Sequence, residues 1–367
     1  MSMRIAMVGA CPYPVPQGSQ VFLRDNAHVL HERGHEVHLV VYGHGAGRDN
    51  SALRIHRAPK APLVRKTGAG PSPAKPLLDL LLVRTLRRVA HAHKVQLVVA
   101  HNYEALLVAL AAGHRPVVYH AHNAMSDELP YYFRGAHWAE RFGRWLDRTF
   151  PRRADRVLVP HRRLAGHLIV RGCDHRKVAL VPPPVDASRF TPCTVGSGMP
   201  PILYAGNLDA YQNLGLLFAA MEKVRAQHRD ARLRVATAED VFLPESELVP
   251  VRGFDDLPRL LAEDSVYAVP RVSWSGYPIK LLNAMAAGKA IVACNSAAYP
   301  LTHQYNGLIV PDNDVDAFAD ALLRLMGDPG LRAELGKNAR QTILDHHQPA
   351  QVGEQLEAVM MELAGPG

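Results

Sequence analysis

The sequence predicts an α/β protein of two Rossmann-like domains, each built on a parallel sheet. Three observations lead there. Short runs of β-branched and apolar residues alternate with stretches of helical periodicity along the chain, as in repeated strand–helix–strand crossovers. The 367 residues suffice for two domains of ordinary size, and at 191–200 the composition turns to Gly, Ser, Thr and Pro, as a linker does. Third, residues 265–294 read as a strand (266–269), a polar loop holding Arg271, a helix rich in good formers from Ile279, a helix-stopping Gly288 and a second apolar strand. We therefore place a first domain at 1–190 and a second at 191–349.

In the first domain, 4–8 has the pattern of a buried strand. A loop with Pro12, Pro14, Pro16, Gly18 and Ser19 follows, then a helix over 21–33 stopped by Gly34 and a strand over 36–42. The Gly-x-Gly-x-x-Gly fingerprint is missing, which argues against a nicotinamide or flavin dinucleotide. Segment 44–76 is rich in Gly, Pro and basic residues and predicts long surface loops with one short strand; 77–94 is a basic amphipathic helix whose leucine face docks on the sheet. Strands at 96–100 and 116–119 each end in polar residues, His101 to Glu104 after one and His120 to Asn123 after the other. Polar clusters at successive strand ends are where an α/β protein keeps its chemistry. A loop and short helix with Glu128 follow. Next comes a basic aromatic stretch, 134–156, whose Trp138, Phe142, Trp145 and Phe150 have the spacing of core packing first and of interfacial membrane anchoring second. Strands 157–159 and 178–181 with a helix at 162–171 complete the domain.

The second domain opens with a strand over 202–205, then Gly206 and Asn207, then a helix. Residues 249–253 form a further strand end, and helices over 315–327, 329–345 and 350–364 finish the chain.

At 48% hydrophobic and 21% charged the chain has a globular balance. Cys11, Cys173, Cys193 and Cys294 lack metal or redox spacing, which fits a reducing, cytoplasmic compartment. The first residues run straight into a strand pattern, unlike a signal peptide, and the apolar run at 77–83 is too short to span a bilayer. Net charge is +8 but uneven: residues 1–190 carry 28 Lys+Arg against 13 Asp+Glu, and the remainder 14 against 21. The basic half fits an anionic membrane surface, peripheral on its inner face, or a phosphorylated acceptor, with plain solvation as the bland alternative. No motif supports nucleic acid as a partner.

Lys280 sits in the first turn of its predicted helix, facing the positive end of the macrodipole, a mild penalty that an anion over the helix start would reverse. Arg271 lies at the carboxyl end of the preceding strand, and Asn283 follows Lys280 on nearly the same face. Together with the backbone N–H groups after Ser275 they predict a site for a phosphorylated ligand. A surface lysine paired with a carboxylate is the simpler alternative.

Ser275-Gly276-Tyr277 and Asn283-Ala284-Met285-Ala286-Ala287-Gly288 resemble the donor-binding segment of the retaining glycosyltransferases of family four, with Ser275 and Asn283 in place of the two usual glutamates. Val181-Pro182-Pro183-Pro184-Val185-Asp186 resembles that family's interdomain turn, and Asn306 to Pro311 a late motif. The resemblance implies the GT-B fold, two Rossmann-like domains facing across a cleft with the last helix packing back on the first. It implies transfer from a UDP- or GDP-sugar as co-substrate with retention, and no other cofactor; cationic side chains and a helix start would stabilise the departing diphosphate without a metal. By the same resemblance Gly206, Asn207, Arg271, Ser275, Gly276, Tyr277, Ile279, Lys280 and Asn283 bind the donor, and Gly18, Ser19, His101, Asn123 and Glu128 stand on the acceptor side. His122 acts with Lys280 and Arg271 in catalysis. Family members commonly carry an arginine and a lysine where Asn207 and Gln212 stand, so Arg271 and Lys280 are expected to restore those charges. The acceptor is a small molecule, a lipid or a glycan. The alternatives are a non-catalytic nucleotide-sugar-binding protein and a sugar-nucleotide epimerase, which would need carboxylates such as Glu104 and Glu128.

Overall fold

The computed structural model describes residues 2–14, 18–45, 52–61, 70, 72–133, 137–251 and 256–364. Parts of the predicted 44–76 loops, Arg134 of the basic aromatic stretch and Gly253 of the predicted strand end lie outside the described residues. The chain divides into two units, one of 1–184 with 349–367 and one of 185–348.

In the first unit the elements run β1 (Arg4–Gly9), α1 (Gly18–Glu32), β2 (Glu36–Val41), β3 (Arg54–Arg57), α2 (Lys75–Ala92), β4 (Leu97–His101), α3 (Asn102–Ala112), β5 (Val117–His120), α4 (Met125–Tyr132), α5 (His137–Thr149), β6 (Arg156–Val159), α6 (Arg162–Val170) and β7 (Val178–Leu180). All described pairings are parallel, in the order β3-β2-β1-β4-β5-β6-β7. β1, β2, β4, β5 and β6 are buried almost end to end, because helices cover both faces of such a sheet. The order reverses between β1 and β4, and an open α/β sheet has its binding crevice beyond the strand ends at such a reversal.

The second unit runs β8 (Ile202–Ala205), α7 (Leu214–Gln227), β9 (Leu233–Thr237), β10 (Glu247–Pro250), α8 (Asp256–Ala262), β11 (Val266–Val269), α9 (Ile279–Ala286), β12 (Ala290–Cys294), β13 (Leu308–Val310), α10 (Val315–Gly327) and α11 (Pro329–His346). Its sheet is again parallel, β10-β9-β8-β11-β12-β13, reversing between β8 and β11. α9 begins at Ile279 as the sequence predicts, with Pro278 as its N-cap residue, ψ 84°. Gly288 ends the helix in the left-handed region, φ 68°, where a side chain would be strained.

The last helix, α12 (Pro349–Ala364), belongs to the first unit and lies along α1. Val352, Leu356 and Met360 enter the β1 core, spaced to share one helix face. A Cβ at Gly353 would come within 2.7 Å of Val29, so the two helices approach closely. An ion pair between Arg33 and Glu357 stitches the same contact at its rim.

Aromatics Trp138, Phe142 and Trp145 of α5 are 53%, 45% and 51% exposed, which corrects the expectation that they pack in the core. The buried face of α5 is instead Ala139, Gly143, Leu146 and Asp147. A Cβ on Gly143 would stand 2.5 Å from Met125 O and Ser126 Cα, so α5 lies with its backbone against α4. Asp147 then accepts from the N–H groups of Met125 (2.9 Å) and Ser126 (3.1 Å), satisfying the start of α4 from a neighbouring helix.

Candidate functional site

At the reversal of the second sheet, β8 delivers Gly206 and Asn207 and β11 delivers Arg271 at neighbouring carboxyl ends. Arg271 turns back over its own loop, donating to Ser273 O (3.2 Å) and Ser273 Oγ (3.2 Å). Its guanidinium carbon stands 5.0 Å from the ring centroid of Tyr211, a cation–π distance. Gly276 makes room for it, since a Cβ there would lie 2.5 Å from a guanidinium nitrogen. Sequence reasoning missed Tyr211, although an aromatic residue between Asn207 and Gln212 was a readable signal.

Asn207 is held tightly. It donates to Asp209 and to Tyr211 Oη (2.8 Å), accepts from Gln212 Nε2 (2.5 Å), and its carbonyl accepts from Tyr204 Oη (2.6 Å). Asn207 and Gln212 thus bond each other. Asp209 is pushed up by burial and by the charge of Glu239, itself a fixed acceptor for Leu208 N–H at 2.9 Å.

Lys280 is half-buried in the first turn of α9, and among the described residues its ammonium makes no hydrogen bond or ion pair. Desolvation brings its pKa down to about 8, against an upward pull from Glu239. Pro278, the N-cap residue of α9, makes no side-chain hydrogen bond to the helix start. Ser275 and Tyr277 are buried in the preceding loop, Ile279 is half-buried, and Asn283 is half-buried one turn beyond Lys280.

The first unit furnishes its strand ends differently. His101 ends β4, His120 ends β5 and His122 follows, all buried, with His101 Nδ1 and His122 Nε2 3.1 Å apart. Phe22 of α1 packs on His120 and His122 with ring centroids 4.7 and 4.9 Å away. Burial drives all three imidazoles down, His122 to about 3, so the group is neutral at physiological pH. Gly18 and Ser19 are exposed in the first turn of α1, one turn before Phe22. Asn123 donates to Glu128, which also accepts from Tyr132 Oη at 3.3 Å. Glu104 is engaged by Lys75 at 2.7 and 3.0 Å. His101, His122 and the start of α1 are therefore brought together, and Asn123 with Glu128 forms a second pair.

Residues 16–189 match Glycosyltransferase Family 4, and residues 200–328 match Glycosyl transferases group 1. The chain carries the two domains of a GT-B glycosyltransferase of family 4 and group 1. The phosphatidyl-myo-inositol mannosyltransferase of Mycolicibacterium smegmatis is 26% identical over 402 residues, covering 100% of this chain and 95% of that one. The D-inositol 3-phosphate glycosyltransferase of Kribbella flavida is 31% identical over 219 residues, 51% of each chain. Among solved structures, sucrose-phosphate synthase from Thermosynechococcus elongatus superposes with a TM-score of 0.83 at 17% identity, covering 98% of this chain and 99% of that one. Anabaena HepE in complex with UDP and glucose superposes with a TM-score of 0.75 at 17% identity, over 98% and 99%. These likenesses establish two Rossmann-like units of the GT-B kind. No described helix of this glycosyltransferase is long and apolar enough to cross a membrane.

Proposed function

We propose that this glycosyltransferase takes its sugar from a UDP- or GDP-sugar, with retention at the anomeric carbon, and delivers it to an acceptor presented at an anionic membrane surface. The observation that carries the donor half is the desolvated Lys280 in the first turn of α9, whose ammonium makes no hydrogen bond or ion pair among the described residues. A partly desolvated cation without a partner is costly, and an incoming diphosphate supplies the partner. Arg271 and Lys280 then hold the diphosphate, meeting the departing charge with fixed cations and the α9 start, without a metal. Gly206 and Asn207 border the phosphates, with Ser275, Gly276, Tyr277 and Ile279 shaping the loop. Asn283 bonds a ribose or phosphate oxygen where the family uses a carboxylate.

On the acceptor side, neutral His122 orients the sugar or the acceptor hydroxyl by hydrogen bonding, its tautomer set by His101. Gly18, Ser19, Asn123 and Glu128 line the approach. A lipid acceptor is favoured over a soluble glycan or small molecule by α5, where exposed Trp138, Phe142 and Trp145 stand among exposed Arg141, Arg144 and Arg148. Aromatic rings and arginines in one exposed helix suit an interface of apolar chains and anionic head groups. The phosphatidyl-myo-inositol named in the mycolicibacterial relative is a lipid of this class. Peripheral attachment at the cytoplasmic face follows from this reading.

Incubating the pure protein with a panel of UDP- and GDP-sugars tests it. Slow release of nucleotide from one donor, abolished in Lys280→Ala, is the expected result. Sugar isomerisation would mark an epimerase, a reading the engaged Glu104 and Glu128 disfavour. Donor binding without release or isomerisation would mark a non-catalytic binder, the reading suggested by the uncharged Asn207 and Gln212.

A further inference from the structure

We propose that His38, His56 and His93 form a binding site for a divalent transition-metal ion of the zinc class, structural in role and separate from the sugar-transfer site. The three residues converge from three elements of the first unit. His38 projects from β2. His56 lies on the neighbouring edge strand β3, two residues past the His38 partner Arg54, so both imidazoles share one sheet face. His93 is the residue that caps the carboxyl end of α2, which packs on these strands. One ligand nitrogen from each lies within 4.8 Å of the other two.

The proton arrangement favours a ligand set over a chance cluster. His38 Nε2 is 3.1 Å from Glu36 Oε1, and a carboxylate only accepts, so Nε2 carries the hydrogen. The His38 Nδ1 lone pair then faces His56 Nε2 at 3.0 Å. A carboxylate fixing the outer nitrogen of an imidazole while the inner one faces the ion is the usual support of a metal-bound histidine. Zinc–nitrogen bonds of about 2.0–2.1 Å put tetrahedral ligand atoms roughly 3.3 Å apart. The buried His38 can stay in place while the half-buried His56 and His93 rings turn to close the set. For His56 to ligate through Nε2, the hydrogen that Nε2 shares with His38 Nδ1 moves by exchange with solvent to His56 Nδ1, so the imidazole stays neutral and no net proton is released. The partial exposure of His56 and His93 leaves the fourth position to water.

Local electrostatics divide. The carbonyl end of α2 favours a cation. Exposed Arg88 and Arg54 both oppose binding, Arg54 while paired with Glu36. Three imidazoles with an open position suit zinc, copper or nickel rather than magnesium or calcium. Because β2 lies two strands from β4 and His38 is in register with Val98, three residues before His101, the ion would lie to one side of the His101–His122 pair, toward the β3 edge of the sheet. Its effect is to fasten the edge strand β3 to the end of α2.

The test uses the untagged full chain, stripped with a chelator and titrated with Zn2+ alone by calorimetry. One tight equivalent is expected, with a rise in melting temperature. Co2+ in its place should give the intense visible absorption of a tetrahedral nitrogen–oxygen site. Glu36→Gln should weaken Zn2+ roughly tenfold or more. His56→Gln with His93→Gln should abolish the tight equivalent and the Co2+ band while melting like the wild type in chelator. The wild-type Co2+ spectrum judges the proposal even if that variant folds poorly. Absence of a tight equivalent, an octahedral Co2+ spectrum, or an unchanged equivalent in the folded double variant would each overturn it.

Discussion

The two strand-end regions share a topology and are furnished in opposite ways. The first unit, in the half that carries 28 basic against 13 acidic residues, lines its sheet reversal with neutral, buried histidines. In the half with 14 basic against 21 acidic residues, the reversal holds a desolvated lysine and a stacked arginine. Net charge is a long-range quantity that steers encounters, whereas a site is made by a few groups withdrawn from water. The surplus arginines of the first half serve the surface, as exposed Arg141, Arg144 and Arg148 on α5 illustrate.

The sharpest way to break this contrast is to remove equal kinds of charge from the two places. Arg271→Ala with Lys280→Ala is expected to weaken nucleotide-sugar binding by a hundredfold or more, since each charge-assisted contact is worth about 1.5–3 kcal/mol. Removing Arg141, Arg144 and Arg148 together should leave donor binding unchanged. Titration calorimetry with UDP- and GDP-sugars decides it: wild-type donor affinity in the double variant would refute the local site, and a loss in the α5 triple would make the overall field the cause.

The α5 variants sharpen the other side. Sedimentation with vesicles containing anionic lipid should show roughly a hundredfold loss for the arginine triple, at about 1 kcal/mol per basic residue near the surface. Trp138→Ala with Trp145→Ala should cost a further severalfold that added salt does not mimic, because ring burial is not screened. If neither variant changes vesicle binding, α5 is merely solvated.

Much of the fold was legible because the strands are apolar runs ended by polar residues, and helix stops such as Gly288 are local events. The order of strands within each sheet was not, since nothing in a single strand names its neighbour. The α5 aromatics show a subtler limit. Positions 138, 142 and 145 have core-face spacing, but so do Ala139, Gly143 and Leu146. Periodicity finds two faces and cannot say which is buried; here small residues win because they let two backbones meet. At the candidate site, Arg271 and Lys280 were readable from their places in a strand–loop–helix unit. Tyr211 under Arg271 and the bond between His101 and His122 depend on contacts between separate segments. His120 carries the same residue type as His122 two places away, and only its place at the end of β5 separates them.

Protons offer the smallest effect and the most specific one. Unliganded Lys280, with its pKa brought down to about 8, is roughly half protonated at pH 8, and a bound diphosphate should fill it. Donor binding at that pH should therefore take up about half a proton, read from calorimetric enthalpies in buffers of different ionisation heat, and uptake should vanish in Lys280→Met. The histidine side predicts silence: with His122 held near 3, donor binding and turnover should show no inflection from it between pH 5 and 7. Stability follows with a fixed sign. Because the folded lysine releases its proton near pH 8 while the unfolded one keeps it to about 10.4, the unliganded chain should gain stability from this group as pH rises through that window. In Lys280→Met that increment should disappear, and the unliganded protein should melt higher than the wild type at pH 7, since the desolvated ammonium is gone. A variant that melts lower, with wild-type proton uptake, would place Lys280 in an ordinary surface role and remove the contrast between the two units.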